Sequence, residues 1–446
     1  MKLHGILRSR LLHLTWPIFV DTTLIMLLGI GDIFMLGGYS DYAVGAVGVV
    51  NQILNMVFLI FGVVTTGTSV LCARYTGASD MQSTKRIVTV SMILNIVFGI
   101  VVSICLNTFA EEILGLMEIR DELLPDAVTY MKLVGGFAFL QAISLTFSAI
   151  LRALQRPKFP MLAILIVNII NIIGNYTLIY GHFGAPELGT EGAAYSTIIS
   201  RTISVVVLLY SLFFIVLKDY TKADLIKISR SKFREVLNIG LPSAGELISY
   251  STAQVVATYF INTISNEAII ARTYVVNIVM VSYLFAFAVA QSNSIMVGYL
   301  VGGRHYNAAH KLTLFSVRSA MIISAVIGLI IALTGKHIVG MITDNAEIIA
   351  YTAIVVWIDI ALEAGRALNL IVIQALRSAN DYIFPVAFGA LSVWGIAVGV
   401  SYLLGIGYGF GLVGVWIGFM LDENFRGWTM LHRWNKRQWI ERVNKK

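Results

Sequence analysis

Four polar side chains that lie within long apolar runs are the best candidates for chemistry in the amino half of this 446-residue sequence. They are Asp32, the pair Asn171 and Asn175, and Thr197, which follows Ala193 by four residues. Residues four apart share a helix face, so each pair would present its side chains together if its run is helical. A carboxylate beside amide and hydroxyl oxygens offers hard ligands to a small cation, and the carboxylate can also accept a proton.

A second group of charges falls in the carboxyl half. Asp359, Glu363 and Arg366 follow spacings of four and three residues, so one helix would carry all three on a single stripe. Arg366 could neutralise one or both acids and fix helix packing, or the remaining negative charge could attract a cationic substrate. Glu246 is a further acid in an apolar run of this half. We therefore treat these four residues as candidates for substrate binding or charge relay.

Asp21 and Arg201 complete the set of candidates. A charge inside an apolar span costs about 2.5–3.5 kcal/mol on insertion scales and is a functional candidate by default. Asp21 could act as a gate or be a structural acid. Arg201 lies at a depth comparable to that of Asp32 and could form a structural ion pair with it.

The composition indicates the environment in which these side chains are held. Hydrophobic residues make up 57% of the chain and charged residues only 13%, whereas a soluble chain carries about a quarter charged residues. No Ser/Pro/Gly-rich linker interrupts the chain. Cys72 and Cys105 both lie in apolar stretches without a CxxC pattern, so we expect neither a disulfide nor a metal site. The sequence predicts a membrane protein without a separate soluble domain.

Hydropathy divides the chain into about twelve runs that are long enough to cross a bilayer. The amino-terminal run has no small-residue cleavage site, so we interpret it as a retained first helix. Pro17, Pro160, Pro242 and Pro385 fall at the starts of runs, where proline costs little. The predicted spans lie near 14–38, 46–73, 87–109, 127–151, 160–181, 192–217, 236–262, 270–299, 313–335, 348–375, 383–405 and 410–431.

The basic residues predict the orientation of these spans. With the amino terminus in the cytoplasm, 26 of the 32 Lys and Arg residues fall on the cytoplasmic side, four fall outside and two lie within spans. This split follows the positive-inside rule and places both termini in the cytoplasm. It also accounts for the net charge of +7, so binding to nucleic acid is not expected.

The same orientation brings the candidate residues of the amino half to one depth. Counted at 1.5 Å per residue, Asp32 lies roughly 9 Å below the outer end of its span. Asn175 and Thr197 lie roughly 8 Å below theirs, and Asn171 roughly 14 Å. Three predicted helices thus converge on one candidate cation site.

Several short patterns recur at an offset of 225 residues, which predicts two similar six-helix lobes, 1–220 and 221–446. Repeats of six spans share their orientation, a plan found in transporters that alternate access. The chemistry does not repeat, because Asp32 aligns with Ala257 and Glu363 aligns with Ala138. The matching pairs are Pro17/Pro242, Asp21/Glu246, Gly77/Gly302, Arg152/Arg377 and Pro160/Pro385.

These motifs resemble the multidrug and toxic compound extrusion (MATE) family over nearly the whole chain. In the first half, PIFVDTTLIMLLGIGDIFML is similar to the first helix of that family, with Asp32 at its acidic position. GTSVLCARYTGASD resembles the end of the second helix. FSAILRALQRPKFP and the segment that follows it resemble helices four to six. In the second half, GLPSAGE, VGYLVGG, EAGRALNLIVIQALRSAND and GLVGVWIG fit the corresponding places.

The resemblance implies an all-α polytopic membrane protein of about twelve helices in two pseudo-symmetric bundles. It implies an antiporter that exports organic, often cationic, compounds in exchange for H+ or Na+, with no other cofactor. Asp32, Asn171, Asn175, Thr197 and Ala193 match the cation site of the family's amino half. In one departure, Asn175 stands where some members carry a second Asp.

The resemblance is weaker in the carboxyl half. The acid of helix seven lies about a turn earlier than in many members, and the acids of helix ten do not fall at the usual spacing. One carboxylate with amides and a hydroxyl could serve either ion and mildly favours H+. We expect a monomer in the bacterial cytoplasmic membrane that binds small organic substrates.

Two other classes of membrane protein share some of these features with an antiporter. A lipid-linked-precursor flippase of a related superfamily has the same general plan but usually carries more spans and a more cationic central cavity. A membrane-embedded enzyme would need a catalytic motif, and no GxSxG, HExxH or paired-His motif lies within a span. We therefore predict a protein that is not an enzyme.

Overall fold

The computed structural model describes residues 2–226 and 229–444, and these residues form helices and connecting turns without a strand. Lys227, Lys445 and Lys446, which the sequence assigns to the cytoplasmic side, lie outside the described residues. The first half contains α1 Lys2–Gly37, α2 Asp41–Gly77, α3 Met81–Thr108, α4 Ala110–Gly115, α5 Leu124–Tyr130, α6 Ala138–Ala153, α7 Lys158–Tyr180 and α8 Thr190–Tyr210. The second half contains α9 Lys222–Ile226, α10 Arg230–Ile264, α11 Asn266–Gly302, α12 Tyr306–Gly340, α13 Ala346–Ser378, α14 Ile383–Ser392, α15 Gly399–Ser401, α16 Gly411–Asn435 and α17 Trp439–Asn444.

Short π-helical turns lengthen several of these helices. One π-turn extends α5 towards α6, another extends α8, a third connects α14 to α15 and a fourth extends α15. Such turns insert one residue per turn and shift the side-chain faces on either side of them. The π-turns are Met131–Gly135, Ser211–Val216, Val393–Val398 and Tyr402–Gly407.

Within the described residues, nine helices are long and apolar enough to cross a membrane, and the bent pair Leu124–Gly135 and Ala138–Ala153 makes a tenth. The axes of that pair differ by 46°. α10 and α16 are long enough to span, but they carry more polar residues. The predicted all-α membrane fold is therefore confirmed, whereas the cytoplasmic location of the termini stays a prediction.

Two prolines lie in places that the sequence interpretation missed. Pro17 and Pro242 are inside α1 and α10 rather than at their starts, because both helices begin more than ten residues earlier. An interior proline removes one backbone hydrogen bond and favours a kink. Pro160 and Pro385 do lie in the first turn of α7 and α14, as expected.

The described chain forms two compact units. The C-terminal unit comprises Met1–Phe19, Gly77–Ser79 and Leu241–Lys446, and the N-terminal unit comprises Val20–Thr76 and Asp80–Gly240. α1 and α10 each divide between the units, within three residues of their interior prolines. The repeat-based lobes 1–220 and 221–446 stay a prediction about the functional halves of the chain.

Close helix packing in the N-terminal unit depends on glycine. A Cβ on Gly67 of α2 would lie 2.3 Å from the carbonyl oxygen of Val236 in the first part of α10. A Cβ on Gly240 would lie 2.0 Å from the carbonyl oxygen of Val63. Small residues allow backbones to approach in this way in membranes. A separate cluster of buried residues around Val47 includes Leu36, Ile179 and Ala193, and so packs α2 with the helices that hold the candidate site.

Candidate functional site

The candidate cation site of the N-terminal unit is assembled from α1, α7 and α8, as the sequence predicted. The Asn175 Nδ2 group donates to Asp32 Oδ1 at 2.7 Å and to Asn171 Oδ1 at 3.1 Å. Asn171 and Asn175 are buried, while Asp32 is partly exposed. One amide thus connects the carboxylate to the second amide, so the three side chains form one hydrogen-bonded unit.

The α8 residues border this unit. Thr197 and Ala193 are buried, with 6% and 3% of their surfaces exposed. Ser196, their neighbour on α8, donates to the backbone oxygen of Asn171 at 3.0 Å and so attaches α8 to α7. Gly174 permits this approach, since a Cβ there would lie 2.4 Å from the Ser196 hydroxyl. The small residues of α7 and α8 therefore hold the amides in place.

Tyr130 is a member of the site that the sequence interpretation missed. It is 2% exposed, and its charged neighbours are Asp32 and Arg201. Arg201 lies over the ring of Phe58, 5.5 Å from its centroid. No ion pair within 4.0 Å joins Arg201 to Asp32 in the described residues, so the structural ion pair left open by the sequence is absent there.

Asp21 and Glu246 lie apart from these groups and bind arginines of their own. Arg152 donates to Asp21 in the N-terminal unit, and Arg377 donates to Glu246 in the C-terminal unit. Both pairs are separated by 131 residues. Glu246 therefore makes its ion pair with Arg377 rather than with Arg366, with which the sequence had grouped it.

The α13 stripe of the C-terminal unit is present as predicted. Arg366 donates to Glu363, which is fully buried, and Asp359 accepts a hydrogen bond from the indole of Trp416 at 3.1 Å. Asp359 is 2% exposed. The three charged residues thus share one helix face, and Asp359 has a hydrogen-bond partner outside the Arg366–Glu363 pair.

Three charged residues of α16 extend this stripe, and the sequence interpretation missed them. Arg426 contacts Asp422 at 2.8 Å and Glu423 at 3.3 Å, and Glu423 also lies 3.5 Å from Arg366. All three are at most 4% exposed. Asp359, Glu363, Arg366, Asp422, Glu423 and Arg426 are called the carboxyl cluster below.

A sequence signal for the α16 charges did exist. The motif LDENFRG places two acids and an arginine within the apolar run predicted at 410–431. The positive-inside count includes Arg426 among the 26 cytoplasmic basic residues, although it lies nine residues before the end of α16. Their spacing of three and four residues matches that of the α13 charges, and helical periodicity would have indicated a matching stripe.

The described residues contain no group of three His, Cys, Asp or Glu side chains able to hold a metal ion. The acids of the carboxyl cluster instead contact arginines and neutral donors, while Asp359 Oδ2 and Glu363 Oε2 are buried without a hydrogen-bond partner in the described residues. Asn369 donates to Glu423 at 2.8 Å, and Ser392 donates to Asp422 at 2.5 Å. The cluster carries four carboxylates against two guanidinium groups, so negative charge is in excess when all six residues are ionised.

Comparison with protein families identifies the chain. A family model described as MatE matches residues 17–177 and again residues 242–403. The two matches begin 225 residues apart, which is the offset of the internal repeat. The family model thus covers both halves of the chain separately.

Curated relatives span almost the entire chain. The uncharacterized transporter YisQ of Bacillus subtilis is 37% identical over 432 residues, which cover 97% of this chain and 95% of the relative. The probable multidrug resistance protein NorM of Thermotoga maritima is 27% identical, with 98% of this chain and 95% of the relative covered. These relatives are named as transporters or multidrug resistance proteins, not as enzymes.

The fold is also found in solved structures. An outward-facing structure of a multidrug resistance MATE family transporter of the MOP superfamily superposes with a TM-score of 0.88 at 20% identity. The match covers 99% of this chain and 97% of that chain. At this identity the likeness concerns the fold, and the family assignment depends on the matched family model and the closer relatives. The chain therefore belongs to the MATE family of multi-pass membrane transporters.

Proposed function

We propose that this protein is a secondary antiporter that exports organic cations in exchange for H+, with Asp32 as the coupling group. The observation that carries the proposal is the hydrogen-bonded unit of Asp32, Asn175 and Asn171. A single carboxylate held by one amide can change its charge without breaking an ion pair. The multidrug resistance names of several relatives support organic compounds as substrates.

Protonation of Asp32 would weaken the hydrogen bond between Asp32 and Asn175. As a carboxylate, Asp32 accepts the Asn175 Nδ2–H group, and such a charge-assisted bond is roughly twice as strong as a neutral one. A proton taken up from outside removes the charge and weakens this bond, so helix α1 is released from α7. Loss of the proton to the cytoplasm restores the bond. The cycle would couple proton entry to a change in α1.

The carboxyl cluster supports a cationic substrate. Unpaired charge within a span is costly, and a cationic substrate would offset the excess of carboxylates over guanidinium groups in this cluster. Arg366 bridges acids of α13 and α16, Arg426 pairs with the two acids of α16, and the surplus carboxylates would attract the substrate. The candidate sites of the two units would then bind different cations, one small and one organic.

One observation favours Na+ as a second candidate for the coupling ion. Asn175 Oδ1 is buried and has no hydrogen-bond partner in the described part of the chain. An amide oxygen beside a carboxylate is a suitable ligand for a hard cation. Asp32, Asn171, Asn175 and Thr197 would then form the Na+ site.

We further propose that one chain suffices for transport and that it needs no cofactor other than the coupling ion. The bacterial relatives support a location in the bacterial cytoplasmic membrane. The predicted positive-inside orientation would place both termini in the cytoplasm.

Transport in proteoliposomes tests the proposal when the pH gradient and the Na+ gradient are imposed separately. Wild-type protein should move a fluorescent organic cation under the pH gradient, and Asp32→Asn should reduce this rate by at least about fivefold. Asp41→Asn is the matched control, because Asp41 is an exposed carboxylate at the start of α2.

Each outcome is informative. Transport driven by the Na+ gradient alone would assign Na+ as the coupling ion. Pumping by Asp32→Asn at the wild-type rate would refute the role of Asp32. Passage of substrate that needs neither gradient would refute antiport altogether.

A further inference from the structure

A groove lined by three basic side chains lies in the C-terminal unit and contains no residue of either candidate site. It is formed by the first part of α1 and the first part of α12, and its volume is about 340 Å³. Arg8, Lys311 and Arg318 contribute the charges. The apolar lining includes Leu7, Leu312 and Phe315. None of these residues belongs to the proposed transport chemistry.

The basic side chains are arranged on a single face. Lys311 and Arg318 are seven residues apart on α12, so they lie on one stripe about 10 Å apart along the axis. Arg8 of α1 lies over the ring of Phe315, with its guanidinium carbon 4.3 Å from the ring centroid. Stacking on an aromatic face holds a guanidinium in place and leaves its N–H edges open. The three cations therefore surround the same space.

No acid neutralises these cations in the described residues. None of the three forms an ion pair within 4.0 Å there, unlike Arg152, Arg366 and Arg377. α12 contains no Asp or Glu, and the first acid of α1 is Asp21. All three cations are exposed. A groove with three positive charges and no acidic partner is complementary to an anion.

The depth of the groove identifies the kind of anion. After Arg318, α12 continues for 17 uncharged residues before Lys336, close to the about 20 residues that cross a bilayer core. Arg318 thus lies where the hydrocarbon region begins, and Lys311 lies two turns outside it. This is the level of phospholipid headgroups, on the side that the positive-inside rule assigns to the cytoplasm.

We propose that this groove binds an anionic glycerophospholipid, with its phosphate among Arg8, Lys311 and Arg318. The glycerol and the upper acyl chains would lie on Leu7, Leu312 and Phe315. Basic pockets between transmembrane helices on the cytoplasmic side are known to bind acidic headgroups. The apolar lining selects a lipid over free phosphate, because inorganic phosphate has no apolar part to bury.

Native mass spectrometry of the purified full-length protein, titrated with phosphatidylglycerol or phosphatidylcholine, tests this proposal. Each basic residue near an anionic lipid surface contributes about 1 kcal/mol of binding free energy. Loss of two such residues in Lys311→Gln/Arg318→Gln should therefore weaken phosphatidylglycerol binding roughly thirtyfold. Phosphatidylcholine should bind wild type and variant alike. Arg318→Lys should retain most of the binding, since it keeps the charge.

The matched control is Arg156→Gln/Lys158→Gln, which removes two exposed basic residues from the same predicted side, outside the groove. It should bind phosphatidylglycerol as wild type does. Equal loss in both double variants would refute the groove as the site, as would equal binding of the two lipids by wild type. If inorganic phosphate competes for the groove as effectively as phosphatidylglycerol does, the proposal that the groove binds a lipid is refuted. Unchanged thermal unfolding in phosphatidylcholine shows that the variants fold, and transport is not needed as a readout.

Discussion

Arg152 donates to the buried carboxylate of Asp21, and the same ion pair recurs 225 residues later as Arg377 and Glu246. In each case an arginine that directly follows a leucine reaches an acid four residues after the first proline of its half. The chain thus repeats a pairing as well as a pattern of spans. The second acid is the more exposed, with 12% of the Glu246 side chain accessible against 4% for Asp21.

Neutralising Asp21 should destabilise the protein more than neutralising Glu246. Asp21→Asn leaves Arg152 without its carboxylate in a buried place, and breaking a buried pair costs about 3–5 kcal/mol. Glu246→Gln should cost less, because water reaches that pair more readily. Thermal unfolding of the purified protein in detergent would measure both. The double variant Asp21→Leu/Arg152→Met should recover much of the loss, and a wild-type unfolding temperature for Asp21→Asn would contradict the assignment.

Glu423 should be the most sensitive acid of the carboxyl cluster. It contacts Arg366, Arg426 and Asn369, whereas the hydrogen bond of Asp359 comes from Trp416. Glu423→Gln should therefore cost roughly 3 kcal/mol, and Asp359→Asn about 1 kcal/mol. Denaturation in detergent compares the two. A larger loss for Asp359→Asn would show that Glu423 does not connect the two helices.

Adding a carboxylate at position 175 should change the ion that drives transport. Asn175→Asp would place a second acid beside Asp32 and supply another hard oxygen ligand to Na+. Transport under a Na+ gradient at equal pH should rise by roughly fivefold or more over wild type. Asn175→Ala is the control, because it removes the amide without adding charge. If transport by neither variant responds to the Na+ gradient, position 175 does not take part in ion binding.

Alanine at the two close glycine contacts should destabilise the N-terminal unit. At Gly67 and Gly240 a Cβ would meet a backbone carbonyl oxygen at 2.3 and 2.0 Å, and overpacking of this kind costs about 1–3 kcal/mol. Gly62→Ala in α2 and Gly245→Ala in α10 are matched controls, since a Cβ there meets nothing within 4 Å. The controls should gain about 0.5–1 kcal/mol from reduced chain entropy. Equal unfolding temperatures for all four variants would rule out the close approach.

Asp80 should give α3 a stabilising contribution that depends on pH. Its carboxylate accepts the Ser83 backbone N–H at 2.9 Å as a helix N-cap. Hydrogen bonding by the side chain and then the backbone of Ser83 lowers the pKa of Asp80 below its ordinary value. The stability it contributes is present above the unfolded pKa of about 3.9 and is lost as the pH falls through the lower folded value. Asp80→Asn keeps a capping oxygen without a charge.

Unfolding temperatures at pH 7 and near pH 3 would measure this contribution. The wild type should lose more stability than Asp80→Asn on acidification, and Asp80→Ala should lose about 1 kcal/mol at pH 7 from the missing cap. An identical loss in wild type and Asp80→Asn would show that the carboxylate charge contributes nothing.

The sequence alone determined the helical membrane fold, the internal repeat and the group around Asp32. These features depend on local quantities: hydropathy over about 20 residues, spacing along a helix and recurrence at one offset. Asn171 and Asn175 share a face because they are four residues apart, and the depth count placed that face level with Asp32. The hydrogen bond from Asn175 to Asp32 is the contact that such a count anticipates.

Only the tertiary structure decided which distant charges meet. Asp21 pairs with Arg152, which lies 131 residues away, and no spacing in the sequence indicates that partner. Glu423 and Arg426 joined the α13 stripe because α16 packs against α13, and no spacing within either helix reveals that pairing. Likewise, Arg8 meets Phe315 because the first part of α1 belongs to the C-terminal unit. Such contacts depend on helix packing across long sequence separations, which local patterns do not encode.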